Sequence, residues 1–347
     1  MHMADALISP VVGGAMWAAT AGLASFASKK VQTNIDSHKV PLMGVLGAFV
    51  FAAQMINFTI PGTGSSGHLG GGILLAILLG PHAAFLTIAS ILAVQALFFA
   101  DGGLLALGCN IFNMGFLPCY IAYPFIFKPL TDQKPSRRRI IIGSVAAAVA
   151  GLQLGAFGVV MQTLFSGISE LPFLSFLLLM QPIHLAIGIV EGIITAVVIS
   201  FIYQTAPEIL TKTALNKPLD NIPIKPVLVA FFIAALVIGS TLSWFASSNP
   251  DGLEWSITET SGQEALQATT EIHGFFADLQ EKLAFLPDYN FKSSSAVEAP
   301  AAAIEESKES AWPAVDRGTS TAGIVGSLIT LLLAYLSGKA LQYAGKS

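Results

Sequence analysis

The spacing of its charges constrains this chain more than any other feature. From residue 11 to residue 203, Lys and Arg occur only as Lys29, Lys30 and Lys39 and in a cluster at 128–139 that holds Lys134, Arg137 and Arg138. The intervals are built of apolar runs of roughly twenty residues or more, the length that carries a helix across a bilayer core roughly 30 Å thick. Only 11% of the residues are charged against 54% hydrophobic, too few to cover a water-soluble globule of this size. The expected fold class is an all-α polytopic membrane protein, which excludes a cytosolic enzyme as the default.

Nine apolar segments can be drawn, at 11–28, 40–59, a pair within 69–99, and 104–127, 140–165, 173–203, 226–246 and 319–343. The stretch 69–99 is too long for one crossing and is interrupted by Gly80-Pro81-His82. Splitting it there puts the basic loop 128–139 inside, as the positive-inside rule requires. The expected topology is multi-pass in the cell membrane, N-terminus outside and C-terminus inside, with 13 of the 17 basic residues on the inner side. The acids fall elsewhere: 13 of 21 lie in 248–318, which holds four of the Lys and Arg. The expected division is a seven-helix body at 1–205, a cytoplasmic linker at 206–225, and a part at 226–347 whose two further spans flank an extracytoplasmic segment, 247–318. Within that segment Ile272, Phe275, Phe276, Leu279, Leu283 and Leu286 recur at helical spacing, and 293–311 has the composition of a flexible tether.

Other chemistry is sparse. In a helix Cys109 and Cys119 stand about 15 Å apart, beyond the ~7 Å between alpha carbons that a disulfide spans, so they read as small hydrophobes. Of the two Gly-Lys pairs, Gly338-Lys339 lacks the glycine and hydroxyl residues of a nucleotide-binding loop and Gly345-Lys346 lacks the glycine five residues before it, so ATP-driven work must come from another chain. Asn110 and Asn113 share a helix face, as pocket lining or as interhelical glue. His184 and Glu191 also share one, and a structural or interface role is preferred to a proton relay. His82 reads as structural, and His38 and His273 as loop or surface residues.

Histidine at position 2 is the most informative residue. A bulky second residue is expected to protect Met1 from removal, leaving a free amine. That amine and the deprotonated His2 amide close a five-membered chelate on a metal, and the amide with His2 Nδ1 closes a six-membered one. Three coplanar nitrogens suit Ni(II) or Cu(II), accept Co(II), and deny Zn(II) its tetrahedron. His68, at the end of the glycine-rich loop Pro61-Gly-Thr-Gly-Ser-Ser-Gly-His68, is the natural fourth ligand, on the same outer side as the N-terminus. The plainer readings are a frayed terminus for His2 and a helix cap for His68. Asp5 reads as a support for a ligand or as a helix cap. Ser65 and Ser66 read as donors to the His68 ring or as loop residues satisfying local backbone.

Met1-His2 with Asp5, the run from Gly62 to Gly71, Leu79-Gly80-Pro81, and the run from Ala100 to Gly108 with Asn110 and Phe112-Asn113-Met114-Gly115 together resemble the CbiM/NikM family. These are substrate-binding membrane subunits of energy-coupling-factor nickel and cobalt transporters. Pro250-Asp251-Gly252-Leu253-Glu254 is similar to the motif that names PDGLE domains, as in the small NikN or CbiN subunit, here fused to the main one. The resemblance implies a seven-helix body and a metal held in a plane by the Met1 amine, the His2 amide and imidazole, and His68. It further implies that Ni(II) or Co(II) is bound as cargo with no resident cofactor, and that the partners are a transmembrane coupling subunit and cytoplasmic ATPases, besides lipid and without nucleic acid. In related subunits a small-residue face on an early helix meets the coupling subunit, which points to Gly44, Ala48 and Ala52. Ala6-Leu7-Ile8 departs from the family's usual Gly-Phe-Leu and leaves the choice between nickel and cobalt open. The rival readings are a metalloenzyme using the same nitrogens, for which Asp5 is the only acid or base in view outside the loop serines, and a membrane metal sensor, which usually requires a cytoplasmic output domain where the inner loops here are short.

Overall fold

A computed structural model describes residues 1–34, 37–131, 136–219, 222–263, 266, 270–292 and 312–345. The expected tether at 293–311 and Lys134 lie outside the described residues. In chain order the elements are α1 (Pro10–Asn34), α2 (Lys39–Gln54), β1 (Phe58–Ile60), β2 (Ser65–Gly67), α3 (Gly72–Leu79), α4 (Pro81–Phe99) and α5 (Leu107–Ile111). A π-helical stretch, Phe112–Phe127, continues α5 into α6 (Lys128–Thr131). Then follow α7 (Arg137–Ser166), α8 (Phe173–Thr205), α9 (Pro207–Ala214), α10 (Lys225–Ser240), α11 (Gly252–Ser261), α12 (Glu271–Leu283) and α13 (Arg317–Ala344).

The chain is a helical membrane protein. Among the described residues α1, α4, α7, α8 and α13 are long and apolar enough to cross a membrane, and α2 and α10 are shorter apolar helices. The break expected at Gly80-Pro81 is present: Gly80 takes a φ of +80° and Pro81 opens α4, where its missing N–H costs nothing. The eight residues of α3 rise only about 12 Å, so α3 alone is less than a full crossing. The segment expected at 104–127 departs from α-helical winding because Pro118 and Pro124 lie inside it and withhold two backbone donors.

Small residues set the helix contacts. Gly188 and Gly192 of α8 lie against the backbone of Val149 and Val145 on α7, where an added Cβ on Gly192 would stand 2.5 Å from the Val145 alpha carbon. Asn113 and Gln162 exchange two amide hydrogen bonds, at 2.7 and 3.1 Å, between the π-helical stretch and α7, which makes Asn113 the interhelical glue. Gly192→Leu is expected to wedge α7 from α8 and to cost about 1–3 kcal/mol or more. A lowered unfolding temperature in detergent checks this, and an unchanged one discounts the close contact.

One sequence expectation needs correction. In the C-terminal part α10 and α13 pack on α2 and on each other. The face of Gly44, Ala48 and Ala52 is therefore not a free docking surface. The backbone and side chain of α13 at Leu331 and Tyr335 cover Gly44, Ser327 Oγ donates to the Ala48 carbonyl, and Ala48 and Ala52 are buried. A small-residue stripe announces that some helix approaches closely, and here the chain supplies that helix itself.

Candidate metal site

Three segments far apart in sequence meet at one point. The first is the N-terminus, which runs inward ahead of a short 3-10 turn at Asp5–Leu7. The Met3 backbone is gripped on both sides: its N–H donates to Asn110 Oδ1 at 2.8 Å, and its carbonyl accepts from Gly103 N at 2.9 Å and from Asn110 Nδ2 at 3.2 Å. Asp5 Oδ1 accepts from Ala106 N at 2.9 Å, and a Cβ on Gly103 would collide with the same carboxylate. Asp5 thus anchors the terminal segment to the turn after α4. It acts through the backbone rather than by holding a histidine, and Asn110 serves the same purpose.

The second segment is the antiparallel hairpin of β1 and β2, in register Phe58↔Gly67, Thr59↔Ser66 and Ile60↔Ser65. Its turn uses Gly62 and Gly64 at positive φ, where a side chain is strained. Beyond β2, His68 Nδ1 is 3.0 Å from the Leu69 carbonyl, which holds the proton on Nδ1 and leaves Nε2 as the lone-pair nitrogen. Glu191 of α8 accepts the next two backbone N–H groups, from Gly70 at 2.7 Å and from Gly71 at 3.1 Å. Glu191 is therefore a clamp on the His68 loop, and no hydrogen bond pairs it with His184, whose Nδ1 faces the Met180 carbonyl at 2.8 Å. Ser65 and Ser66 do not serve the His68 ring. Ser65 Oγ bonds Thr63 Oγ1 at 2.8 Å, and Ser66 Oγ donates to the Asn249 and Pro250 carbonyls at 2.8 and 3.2 Å.

The third segment lies between α10 and α11. Ser66 N donates to the Pro250 carbonyl at 2.8 Å, Ser247 N donates to the Asn57 carbonyl at 2.7 Å, and Ser66 bridges Asp251 in parallel. Residues 247–251 thus extend the hairpin by one edge. Asp251 then caps α11: its Oδ1 accepts from Leu253 N at 2.8 Å and Glu254 N at 2.9 Å, and Glu254 Oε2 accepts from Asp251 N at 3.0 Å, a reciprocal capping box.

At the meeting point the Met1 amine is 3.0 Å from Asp251 Oδ2, and His68 Nε2 is 4.0 Å from the same oxygen. The His2 and His68 rings stack with centroids 5.1 Å apart and 17° between planes. His2 Nε2 lies 3.2 Å from Gln95 Oε1. Gln95 Nε2 donates to Gln54 Oε1 at 2.9 Å, and Gln54 Nε2 donates to the Gly70 carbonyl at 2.9 Å. The Gln95 oxygen therefore faces a protonated His2 Nε2, and Nδ1 of the neutral ring is left unprotonated. That is the nitrogen the six-membered chelate needs. It faces Asp101 Oδ1 at 3.2 Å, while Asp101 Oδ2 accepts from the Tyr289 hydroxyl.

Burial, assisted by the Met1 ammonium, pushes the His2 imidazole down to about 3 and the His68 imidazole down to about 4. Both rings are neutral at physiological pH and competent as ligands. Burial drives the Asp251 carboxyl upward, but the Met1 ammonium beside it, His68 and the hydrogen bond from Glu254 N together more than reverse this and hold it well below the usual carboxylate range. A cavity of about 10 Å³, the room one small bound species needs, is lined by Met1, His68, His184 and Asp251 among others. Among the described residues no three His, Cys, Asp or Glu side chains form a ready metal cage. The donor set of Met1, His2 and His68 fits a metal only if main-chain nitrogens take part. Asp101 and Asp251 lie within motifs that carry the family resemblance but not a site assignment, and the structure brings both to the site, whereas Asp5 is bonded to the Ala106 backbone.

The first part of the chain, residues 2–209, matches the family model described as the cobalt uptake substrate-specific transmembrane region CbiM, and residues 225–343 match the PDGLE domain. A fused nickel transport protein of Rhodobacter capsulatus is 31% identical over 315 residues, covering 83% of this chain and 88% of that protein. A cobalt transport protein of Geobacter sulfurreducens is 29% identical over 224 residues, 61% of this chain and 62% of that one. A crystal structure of a truncated transition metal transporter, 31% identical, aligns with a TM-score of 0.52 over 59% of this chain and 99% of its own.

Proposed function

This chain belongs to the CbiM family of nickel and cobalt transport proteins and carries a PDGLE domain, and from that premise we propose that it is the substrate-binding subunit of an ATP-driven, energy-coupling-factor importer of Ni(II) or Co(II). The observation that carries the proposal is the convergence of the Met1 amine, His2 and His68 in one buried pocket. The cargo is held by the amine, the His2 amide nitrogen, His2 Nδ1 and His68 Nε2, and it displaces the proton from the amine and from the amide. The gripping of Met3 by Asn110 and Gly103, and of Gly70 and Gly71 by Glu191, supports this reading because it fixes the backbone of the two segments that carry the donors.

The subunit carries no chemistry of its own. Energy is supplied by cytoplasmic ATPases through a transmembrane coupling subunit, and the N-terminal site faces outward while the basic loops face the cytoplasm. The surface that meets the coupling subunit lies elsewhere than on the face of α2 covered by α13.

His68→Ala tests the site directly. The variant is expected to keep its fold, because the hairpin register and the Glu191 clamp use main-chain groups. It is expected to lose about a hundredfold or more in Ni(II) and Co(II) affinity, as removal of one of four donors implies when loss of a supporting contact alone costs about 10–100-fold. Titration of the purified chain by isothermal calorimetry checks this, and wild-type occupancy removes His68 from the donor set.

A further inference from the structure

The proposed donor set is supplied by the body, yet the group that touches it most closely is a carboxylate from the PDGLE motif. Asp251 has one oxygen committed to the start of α11, where Oδ1 accepts from Leu253 N and Glu254 N. The other, Oδ2, is turned to the site, 3.0 Å from the Met1 amine and 4.0 Å from His68 Nε2. The position is built rather than incidental. The strand-like edge at Pro250 is bonded to Ser66, Glu254 locks the Asp251 backbone, and the side chain is only 15% exposed.

We infer that Asp251 Oδ2 is an oxygen ligand of the transported metal, placed above the plane of nitrogens, and that through it the PDGLE domain takes part in choosing the cargo. This rests on the four-nitrogen site proposed above. The Met1 distance suits the role: an axial oxygen and an in-plane nitrogen, each about 2.0–2.2 Å from a shared metal and at right angles, stand roughly 3 Å apart, and His68 Nε2, at 4.0 Å, has to close toward that value on loading. Charge suits it as well. In the empty site the ammonium of Met1 and the carboxylate of Asp251 cancel. In the loaded site a divalent metal and a deprotonated amide leave one positive charge, which the same carboxylate cancels. No net charge from this pair is buried in either state, and a buried net charge is costly. Asp101 Oδ1 stands at a like distance from one of these nitrogens, 3.2 Å from His2 Nδ1, but Asp101 is paired with the Tyr289 hydroxyl and not with the Met1 amine, so the charge exchange falls to Asp251.

An oxygen above the plane matters differently to different metals. Ni(II) is at ease in a plane of four nitrogens, and Co(II) gains more from an added oxygen. Asp251→Asn tests the inference cleanly, because Asn caps a helix as well as Asp does and so preserves the start of α11. Asp251→Ser retains the cap as a second variant. The purified full-length chain is loaded with Ni(II) or Co(II) alone and examined by X-ray absorption and by competitive titration. The wild-type metal is expected to show an oxygen beside its nitrogens. Both variants are expected to lose that oxygen, to bind Co(II) about tenfold or more weaker, and to shift preference toward Ni(II). Unchanged coordination and an unchanged Co(II) to Ni(II) ratio in both variants overturn the inference. Loss of the four-nitrogen reading is seen separately: a chain extended by one residue before Met1 that still binds like wild type sinks that reading whatever Asp251 does.

Discussion

One residue added in front of Met1 is expected to abolish Ni(II) and Co(II) binding with both histidines still in place. The extension converts the terminal amine into an amide, which removes one donor, unbalances Asp251, and takes apart the five-membered chelate ring. It also has nowhere to go. Met1 is 5% exposed and Met3 wholly buried, the cavity beside them holds about 10 Å³, and the Met3 backbone is fixed by Asn110 and Gly103. Acetylation of the amine is expected to do the same with a smaller group, which separates loss of the donor from crowding. The measurement is metal content after equilibrium dialysis of wild-type, extended and acetylated protein. Affinity falling by less than about tenfold in the acetylated chain is the result that defeats the amine as a ligand.

The second large effect is expected at Glu191, far in sequence from both histidines. Its carboxylate is 2% exposed and is the acceptor for Gly70 N and Gly71 N. Glu191→Ala leaves two buried donors unsatisfied at about 1–3 kcal/mol each, so a loss of roughly 2–6 kcal/mol in stability is expected. Metal affinity is expected to fall about 10–100-fold, because the loop that presents His68 loses its clamp. Glu191→Gln keeps one acceptor oxygen and is expected to recover part of both losses. The checks are thermal unfolding in detergent and metal titration of the same samples. A Glu191→Ala protein with lowered stability but wild-type affinity limits Glu191 to holding the fold.

How much of this was legible in the sequence depended on whether the information is local. Apolar runs and the Gly80-Pro81 break are local, and α4, α7, α8 and α13 follow them. The chelate is local as well, since an amine, an amide and an imidazole in two adjacent residues define it, and this singled out His2. His68 was reachable because its glycine-rich loop is an unusual stretch. The remainder required tertiary contact. Asp251 meets Met1 across a separation of 250 residues, and its two nearest neighbours in sequence give no sign of that pairing. The stripe Gly44, Ala48, Ala52 correctly announced a close helix, but a stripe cannot name its partner, and α13 fills the place assigned to another subunit. By sequence Ser65 and Ser66 face either the nearby histidine or their own loop; Ser65 stays within the loop on Thr63, and the incoming segment 247–251 claims the hydroxyl of Ser66. Asn110 and Asn113 looked alike by spacing, and only the structure separates them, one holding the N-terminal segment and the other a neighbouring helix.

The strand edge that residues 247–251 add to the hairpin bears on how this protein assembles. A freely diffusing accessory subunit must find such an edge at the cost of its translational freedom, so that its occupancy depends on how much of it the membrane holds. Covalent continuity through α10 replaces that search with an effective concentration set by a short length of chain. The edge on Ser66 and the carboxylate beside Met1 are therefore present once per binding site at any expression level, and dilution does not strip them away.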